Sequence, residues 1–262
     1  MDQDIFSLTR AHQFAAMLDL STDTLRTGTP VPRGWHNAMF AVPTPQSQLR
    51  PDGYGDLGIA LPKTDLPRLM FGGRRVQFHG DILIGAPAHR TSHLVSSVEK
   101  HGRSGRMLIV TIRREITCEA DEPVVVEEQD YLLREAAIPA QPSTPPQPRP
   151  ADISQDFTAT EMLLLRYCAL TFNTHRIHYD HPYATTVEGY PALVINGNLA
   201  TLKLTEMFRS QTGRAPKSLT TRNARPLFCG HANRLHAKPS DAAWNLWITD
   251  PSGHIALEAE IA

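Results

Sequence analysis

The sequence predicts an α+β protein built from two halves of similar design. Two kinds of local pattern carry this prediction: runs of alternating apolar and polar residues separated by turn signals, and segments with apolar residues at helical spacing. A third observation divides the chain. Six prolines fall between Pro139 and Pro150, and proline fits neither a helix interior nor a central strand. Each half thus offers a helix and several antiparallel strands.

The N-terminal half covers residues 1–135. Apolar residues at helical spacing between Asp4 and Leu20 predict a helix, and residues 27–62 are rich in glycine and proline and therefore irregular. Four strand-like runs follow: "RRVQFHG", "HRTSHLVSSVEKHG", "MLIVTIRREITC" and "PVVVEEQDYLLRE".

Residues 136–152 form the predicted linker, an extended polyproline-like segment, and residues 153–262 form the C-terminal half. There "TATEMLLLRYCAL" predicts a helix capped by Thr158 or Thr160. A second helix, "NGNLATLKLTEMFRSQTG", should end at Gly213. Strands return in "SLTTRNARPLF", "HANRLHAKP" and "AAWNLWITDPSGHIALEAEIA", where "DPSG" predicts a hairpin turn.

Composition excludes several classes of function. The net charge of -1 gives no bulk attraction to nucleic acid or anionic lipid, and no apolar run reaches the roughly 20 residues that span a bilayer. The acidic start "MDQDIFSLTR" is unlike a signal peptide. The three cysteines lie far apart and form neither a disulfide framework nor a zinc pair. We therefore expect a cytoplasmic protein with no membrane or nucleic-acid partner.

The stretch "LRYCALTFNTHRIHYDHPYA" holds the strongest chemical signal. His175, His178 and His181 stand three residues apart, which could bring three metal ligands together on a helix. Pro182 argues against a continuous helix, and Arg176 would repel a cation. A second interpretation is a loop whose histidines bind water and backbone. A third is an acid–base site, since an imidazole with a pKa of about 6.5 titrates near neutral pH.

A family resemblance favours the acid–base interpretation. The order Asn173-x-His175-Arg176-Ile177-His178-x-Asp180, followed by "PYA", resembles the hydratase motif of the MaoC-like (R)-specific enoyl-thioester hydratases. "LPRLMFGGRRVQFHG", "SVEKHGRSGRMLIVTI" and "VVEEQDYLLRE" are similar to the non-catalytic half of the double-hotdog branch. That branch includes the type 2 hydroxyacyl-thioester dehydratases and the itaconyl-CoA and mesaconyl-C4-CoA hydratases. The resemblance covers roughly residues 60–262.

The resemblance implies a double hotdog, in which each half has a central helix wrapped by an antiparallel sheet. The catalytic half would be residues 153–262, with residues 196–211 as its central helix. The N-terminal half lacks the histidine motif, so one active site per chain is expected.

The resemblance also implies an activity, the reversible hydration of an enoyl-CoA thioester. A short branched C5 dicarboxylic substrate is favoured, itaconyl-CoA or mesaconyl-C4-CoA giving citramalyl-CoA. The alternatives are an (R)-3-hydroxyacyl-thioester dehydratase of lipid metabolism and a non-catalytic acyl-CoA-binding protein. His178 would be the base, and the backbone N–H of Gly197 would meet the thioester oxygen. Asn173 stands where the family usually has an aspartate. Because an amide cannot take a proton, Asn173 would orient the water instead.

The remaining site predictions concern charged groups and the wall of the substrate pocket. Arg176 would face an anionic group of the substrate or form an ion pair with an acid such as Glu188. Asp180 would be a rival catalytic carboxylate at the substrate or a local N-cap or turn acceptor before "PYA". Asn196 and Asn198 would line the substrate pocket beside Gly197.

The predicted partner is an acyl-CoA, and the oligomeric state is left open, a homodimer included. Lys203, Arg222 and Arg225 are candidates for contacts with the phosphates of coenzyme A. No cofactor or metal ion is expected to take part.

Overall fold

The computed structural model describes residues 1–102, 105–135 and 146–262, and its ten described strands form one antiparallel sheet. The elements, in chain order, are β1 (Asp2–Ile5), α1 (Leu8–Leu18), β2 (Arg68–Phe78), β3 (Pro87–Gly102), β4 (Gly105–Thr117), β5 (Val125–Arg134), β6 (Ile153–Phe157), α2 (Glu161–Thr171), α3 (Gly197–Thr212), β7 (Ser218–Asn223), β8 (Asn233–Lys238), β9 (Trp244–Thr249) and β10 (Ile255–Ile261). Short 3₁₀ turns lie at Trp35–Ala38, Gln46–Gln48 and Arg176–His178, and a π turn lies at Tyr183–Val187. No helix of the described chain is long and apolar enough to cross a membrane.

The strand order reads the same from both edges of the sheet. It runs β1-β3-β4-β5-β2-β7-β10-β9-β8-β6, so each half repeats one order of strands and the halves meet at β2 and β7. At this junction Gly73 lies opposite Arg222 and Gln77 lies opposite Ser218, in antiparallel register. The α+β prediction is confirmed, and the two halves share one sheet.

The C-terminal half follows the local signals closely. α3 buries one apolar face and packs on β9 and β10; this face comprises Leu199, Leu202, Leu204, Met207 and Phe208. Gly213 ends the helix with a φ of 66°, a left-handed conformation that glycine adopts without strain. Thr160, rather than Thr158, caps α2 by accepting a hydrogen bond from the Leu163 N–H.

The N-terminal half departs from the expected pattern in its helices. Residues 2–5 pair as β1 with β3, so Asp4 and Ile5, predicted to begin the helix, lie in a strand, and α1 packs on α2. Residues 19–67, all of them described, contain two 3₁₀ turns and no counterpart of α3. Apolar residues of this segment, among them Leu57 and Leu66, cover the sheet instead. The expected long central helix is therefore present in the C-terminal half and replaced by irregular chain in the N-terminal half.

The predicted linker is described in part. Residues 136–145 lie outside the described residues, so the boundaries of the predicted linker remain a prediction. Arg149, beyond that gap, lies 3.0 Å from Glu258 and 4.5 Å from the centre of the Trp247 ring. The predicted turn at Asp250–Gly253 joins β9 to β10, with Gly253 at a φ of 83°.

Candidate active site

The histidine stretch is a loop that the N-terminal half holds in place. Thr174 donates a hydrogen bond to the Gly53 carbonyl at 2.6 Å, and the Arg176 N–H donates to the Asp52 carbonyl at 2.8 Å. A Cβ at Gly53 would lie 2.3 Å from the Thr174 carbonyl oxygen, so this approach requires glycine. Asn173 closes the loop from within, because its side-chain oxygen accepts from the His175 N–H at 3.0 Å.

His178 is buried with one ring nitrogen already bonded. Its Nδ1 lies 2.7 Å from the Val194 carbonyl oxygen. Because a carbonyl can only accept, Nδ1 carries the proton and Nε2 keeps its lone pair. Burial, and to a smaller extent the neighbouring His175, lowers the pKa of His178 to about 3. His178 therefore remains a neutral imidazole at pH values well below 6.5. This corrects the expectation that its pKa lies near the ordinary value of about 6.5.

The three histidines do not converge. The His175 ring stands edge-on to His178, with centroids 5.4 Å apart, and burial lowers its pKa to about 4. His181 is exposed on the outer side of the loop. Within the described ranges, no group of three or more histidine, cysteine, aspartate or glutamate side chains could hold a metal ion.

The N-terminus of α3 has no side-chain cap among the described residues. Asn196, the cap residue, is buried and does not cap the helix; its amide lies 3.6 Å from the Cys168 sulfur. Gly197 begins the helix, and a Cβ there would lie 3.2 Å from the side-chain oxygen of Asn223. The first N–H groups of a helix have no partner within it and carry its positive end. An anion or a polarised carbonyl can approach them at Gly197.

Both features line one cavity of about 240 Å³ between the two halves. The N-terminal half supplies Asp52, Tyr54, Arg68, Phe71, Tyr131 and Arg134, and the C-terminal half supplies Asn173, His175, His178, Glu188, Asn196, Gly197, Asn198, Asn223 and Arg225, among others.

Two carboxylates line this cavity, and both are in ion pairs. Asp52 lies 3.2 Å from Arg50, and Glu188 lies 2.8 Å from Arg68. His178, by contrast, has a ring nitrogen available to accept a proton.

Arg176 and Asp180, predicted to bind substrate or to make local contacts, have local contacts in the structure. The two side chains form an ion pair at 2.8 Å, and neither lines the cavity. Their spacing of four residues brings them together within one turn. Asp180 also accepts from the Tyr183 N–H at 3.1 Å, so the turn-acceptor alternative describes it better. Glu188 pairs with Arg68 and not with Arg176.

Two of the three predicted contacts for coenzyme A lie elsewhere. Arg222 is exposed and pairs with Glu258 at 2.7 Å across β7 and β10, and Lys203 stands over the Phe157 ring. Neither lines the cavity, whereas Arg225 does. Arg68 and Arg134, which the sequence patterns did not single out, line it as well.

Asn198 and Asn223 add polar groups at the same place. Asn198 accepts a hydrogen bond from Arg74, a fully buried residue of β2 that is ion-paired with Glu127 at 3.0 Å. It therefore ties α3 to the N-terminal half. Asn223, at the end of β7, was not predicted; its side-chain N–H group is buried without a partner among the described residues.

Comparison with known proteins agrees with this geometry. The model of the family "hydroxyacyl-thioester dehydratase type 2" matches residues 34–229. A mesaconyl-C(4)-CoA hydratase from Chloroflexus aurantiacus is 37% identical over 261 residues, which cover 99% of this chain and 93% of the relative. The chain belongs to the type 2 hydroxyacyl-thioester dehydratase family. A mitochondrial member from Schizosaccharomyces pombe is 29% identical over 84% of this chain and 81% of its own.

Solved structures confirm the double hotdog. HtdX from Mycobacterium tuberculosis superposes with a TM-score of 0.69 at 16% identity, covering 100% of this chain and 98% of its own. A second protein from that organism, described as having a double hotdog fold, gives 0.61 at 14% identity over 99% and 92% of the chains. At such low sequence identity, the similarity to these solved structures shows the fold only and gives no information about the substrate.

Proposed function

We propose that this chain is a hydro-lyase that reversibly adds water to an enoyl-CoA thioester. The observation that carries the proposal is one cavity with the free nitrogen of His178 and the N-terminus of α3 at Gly197. The similarity to a mesaconyl-C(4)-CoA hydratase favours a C5 dicarboxylic substrate, with citramalyl-CoA as the hydrated product.

His178 is the base of the proposed reaction. As water attacks the β-carbon, Nε2 takes the proton, and the electron pair of the double bond moves into the thioester. The imidazolium then returns a proton to the α-carbon. Negative charge that develops on the thioester oxygen stabilises the imidazolium, which raises the pKa of His178 during the reaction. His178 is thus neutral in the free protein, where it can accept a proton, and its charged form is stabilised in the transition state.

Asn173 orients the water. Its side-chain oxygen is engaged with the His175 N–H, which leaves the amide N–H groups for the cavity that the residue lines. An amide N–H can donate to the oxygen of the water, so the lone pair of that oxygen is positioned without any proton transfer to Asn173.

The thioester oxygen is bound at the start of α3. The Gly197 N–H and the positive end of the helix stabilise the enolate charge, and α3 has no acidic residue in its first turn to oppose this. The buried amide of Asn223 beside Gly197 is the second donor. Removing one such donor typically costs roughly 100- to 1000-fold in kcat.

Arg134 and Arg225 bind the carrier. Arg225 is exposed, and the Arg134 Nε is buried without a hydrogen-bond partner in the described part of the chain. Both line the cavity, and guanidinium groups suit the phosphates of coenzyme A. A cytoplasmic location and a homodimer remain predictions.

The second candidate function is (R)-3-hydroxyacyl-thioester dehydration in lipid metabolism, which uses the same atoms in the reverse direction. The family match and the Schizosaccharomyces pombe relative favour it. The departure from aspartate at Asn173 favours the third, a non-catalytic acyl-CoA-binding protein.

One assay separates the three functions. Hydration of mesaconyl-C4-CoA, itaconyl-CoA and crotonyl-CoA is measured beside dehydration of a long-chain (R)-3-hydroxyacyl-CoA, with His178→Ala as the control protein. Preference for the dicarboxylic substrates supports the proposal. Preference for the long-chain substrate supports the lipid dehydratase, and tight binding without turnover supports the binding protein.

A further inference from the structure

A second cavity adjoins the one that holds His178. It measures about 200 Å³ and lies where the N-terminal half has irregular chain in place of a central helix. Residues 37–57, the end of α2 and strands β3 to β5 supply its walls. The two cavities have five residues in common, which form the wall between them: Tyr54, Tyr131, Asn173, His175 and Asn198.

Two guanidinium groups line the second cavity. Arg114, on β4, donates a hydrogen bond to the Leu57 carbonyl at 3.0 Å, and its Nε is buried without a partner. No carboxylate of the described chain forms an ion pair with it. Arg90, on β3, is paired with Asp2 at 2.6 Å. The one acid in the lining, Asp56, is exposed and accepts from the Gly58 N–H at 2.7 Å.

The two arginines repel each other. Burial lowers the pKa of Arg90, and the charge of Arg114 lowers it further. The electrostatic influence of Arg114 also reaches the Tyr54 hydroxyl, whose pKa is raised by burial, so this hydroxyl stays protonated and can donate. An anion between Arg114 and Tyr54 would relieve the repulsion and accept both donors.

We infer that the second cavity is the subsite for the free carboxylate of the substrate, with Arg114 as its ion-pair partner and Tyr54 as a hydrogen-bond donor. This inference rests on the proposed function. In mesaconyl-C4-CoA the carboxylate carbon is three bonds from the thioester carbon, which spans about 4 Å in a trans arrangement. With the thioester at Gly197, the carboxylate reaches the shared wall, and the long side chain of Arg114 meets it from the far side.

The same groups exclude other acyl chains. An alkyl tail that entered the second cavity would remove water from Arg114 without giving it a partner, and such desolvation of a charge is unfavourable. Arg114 therefore selects for a short acyl group that carries a second carboxylate and selects against the long chains of lipid metabolism.

The test is Arg114→Gln, with Arg113→Gln as its matched control. Arg113 is the neighbouring residue of β4, so its side chain points to the opposite face of the sheet, where it pairs with Glu115 at 2.9 Å. The substrates are mesaconyl-C4-CoA and crotonyl-CoA, which has hydrogen in place of the carboxylate. We expect Arg114→Gln to lower kcat/KM about 30-fold or more for mesaconyl-C4-CoA, mostly through KM.

Activity on crotonyl-CoA should change by less than about 3-fold, since that substrate makes no ion pair. The ratio of kcat/KM for mesaconyl-C4-CoA to kcat/KM for crotonyl-CoA does not depend on the fraction of the variant that is folded. Where crotonyl-CoA turns over slowly, its inhibition constant against mesaconyl-C4-CoA provides the same comparison. Arg114→Lys should restore part of the selectivity, and Arg113→Gln should leave both substrates unchanged.

Other outcomes overturn the inference in distinguishable ways. If Arg114→Gln lowers kcat/KM equally for both substrates, or for neither, the carboxylate binds elsewhere, and the proposed hydratase activity still stands. Selective loss in Arg134→Gln, and not in Arg114→Gln, places the carboxylate in the first cavity. Wild-type protein that hydrates crotonyl-CoA but not mesaconyl-C4-CoA refutes the dicarboxylic substrate itself, and the carboxylate subsite with it.

Discussion

Asn173→Asp adds one negative charge at the centre of the site and replaces the amide N–H donor with a carboxylate oxygen that can only accept. The Asn173 side-chain oxygen accepts from the His175 N–H at 3.0 Å, and an aspartate oxygen can accept the same hydrogen bond. The two side chains have nearly the same shape, so the loop should keep its conformation. The new negative charge would face the cavity that also holds His178.

The size of the effect follows from Coulomb's law. A carboxylate at position 173 about 4 Å from a substrate carboxylate, at an effective dielectric of about 20, is repelled by about 4 kcal/mol. Water and polar groups in the cavity screen part of this repulsion. A remainder of about 1.4 kcal/mol already gives a factor of ten. We expect kcat/KM for mesaconyl-C4-CoA to fall about 10-fold or more.

Crotonyl-CoA should respond in the opposite sense. It has no second carboxylate, and a negative charge near His178 raises the pKa of that imidazole and makes it a stronger base. The assay is kcat/KM for both substrates with wild type, Asn173→Asp and Asn173→Ala. The alanine variant loses the water-orienting amide without adding charge, so it should slow both substrates alike. If Asn173→Asp changes kcat/KM for both substrates by the same factor, the charge argument fails.

Four further predictions concern the base, the oxyanion site, the acid stability and the two halves. His178→Ala should lower kcat/KM about 100-fold or more on either substrate, while His181→Ala, on the exposed side of the loop, should have no effect. Gly197→Ala should lower kcat about 10-fold with little change in Tm, because its Cβ would narrow the approach to the helix N-terminus. In the unfolded chain both histidines bind protons below pH 6.5, whereas the buried His175 and His178 of the folded protein stay neutral. The free energy of unfolding should therefore fall as the pH drops from 6.5 towards 4, by about 2 kcal/mol for each histidine at pH 5. A Tm that does not change over that range would contradict the lowered pKa values. Residues 153–262 expressed alone should aggregate or lose activity, because they leave the β7 edge open and lack half of the cavity lining, and a soluble, fully active fragment would disprove the two-half site.

Local signals predicted most of the fold. The start and end of α3 were predicted from an apolar face and Gly213, and the cap at Thr160 and the turn at Asp250–Gly253 are also short-range features. The glycine- and proline-rich composition of residues 27–62 correctly indicated irregular chain. The family resemblance suggested a central helix in each half. For residues 27–62 the local composition predicted the structure better than the resemblance did.

The residues that line the cavity were predicted where they belong to a short motif and not where pairing between distant segments places them. His178 and Gly197 belong to short motifs, and the structure brings them into one cavity. Asn223 and Arg114 carry no motif; the register of β7 and the packing of residues 37–57 place them. Arg176 looked like a substrate contact because its partner, four residues away, is visible only once the turn is formed.

The central claim is that this chain hydrates a dicarboxylic enoyl-CoA with His178 as its base. The most direct test is kcat/KM for mesaconyl-C4-CoA and crotonyl-CoA with purified wild-type protein, followed by the loss of enoyl-thioester absorbance and by mass spectrometry of the product. We predict conversion to citramalyl-CoA, with mesaconyl-C4-CoA preferred about 10-fold or more and turnover nearly abolished in His178→Ala. Binding of mesaconyl-C4-CoA without turnover, or equal turnover by wild type and His178→Ala, would contradict the account.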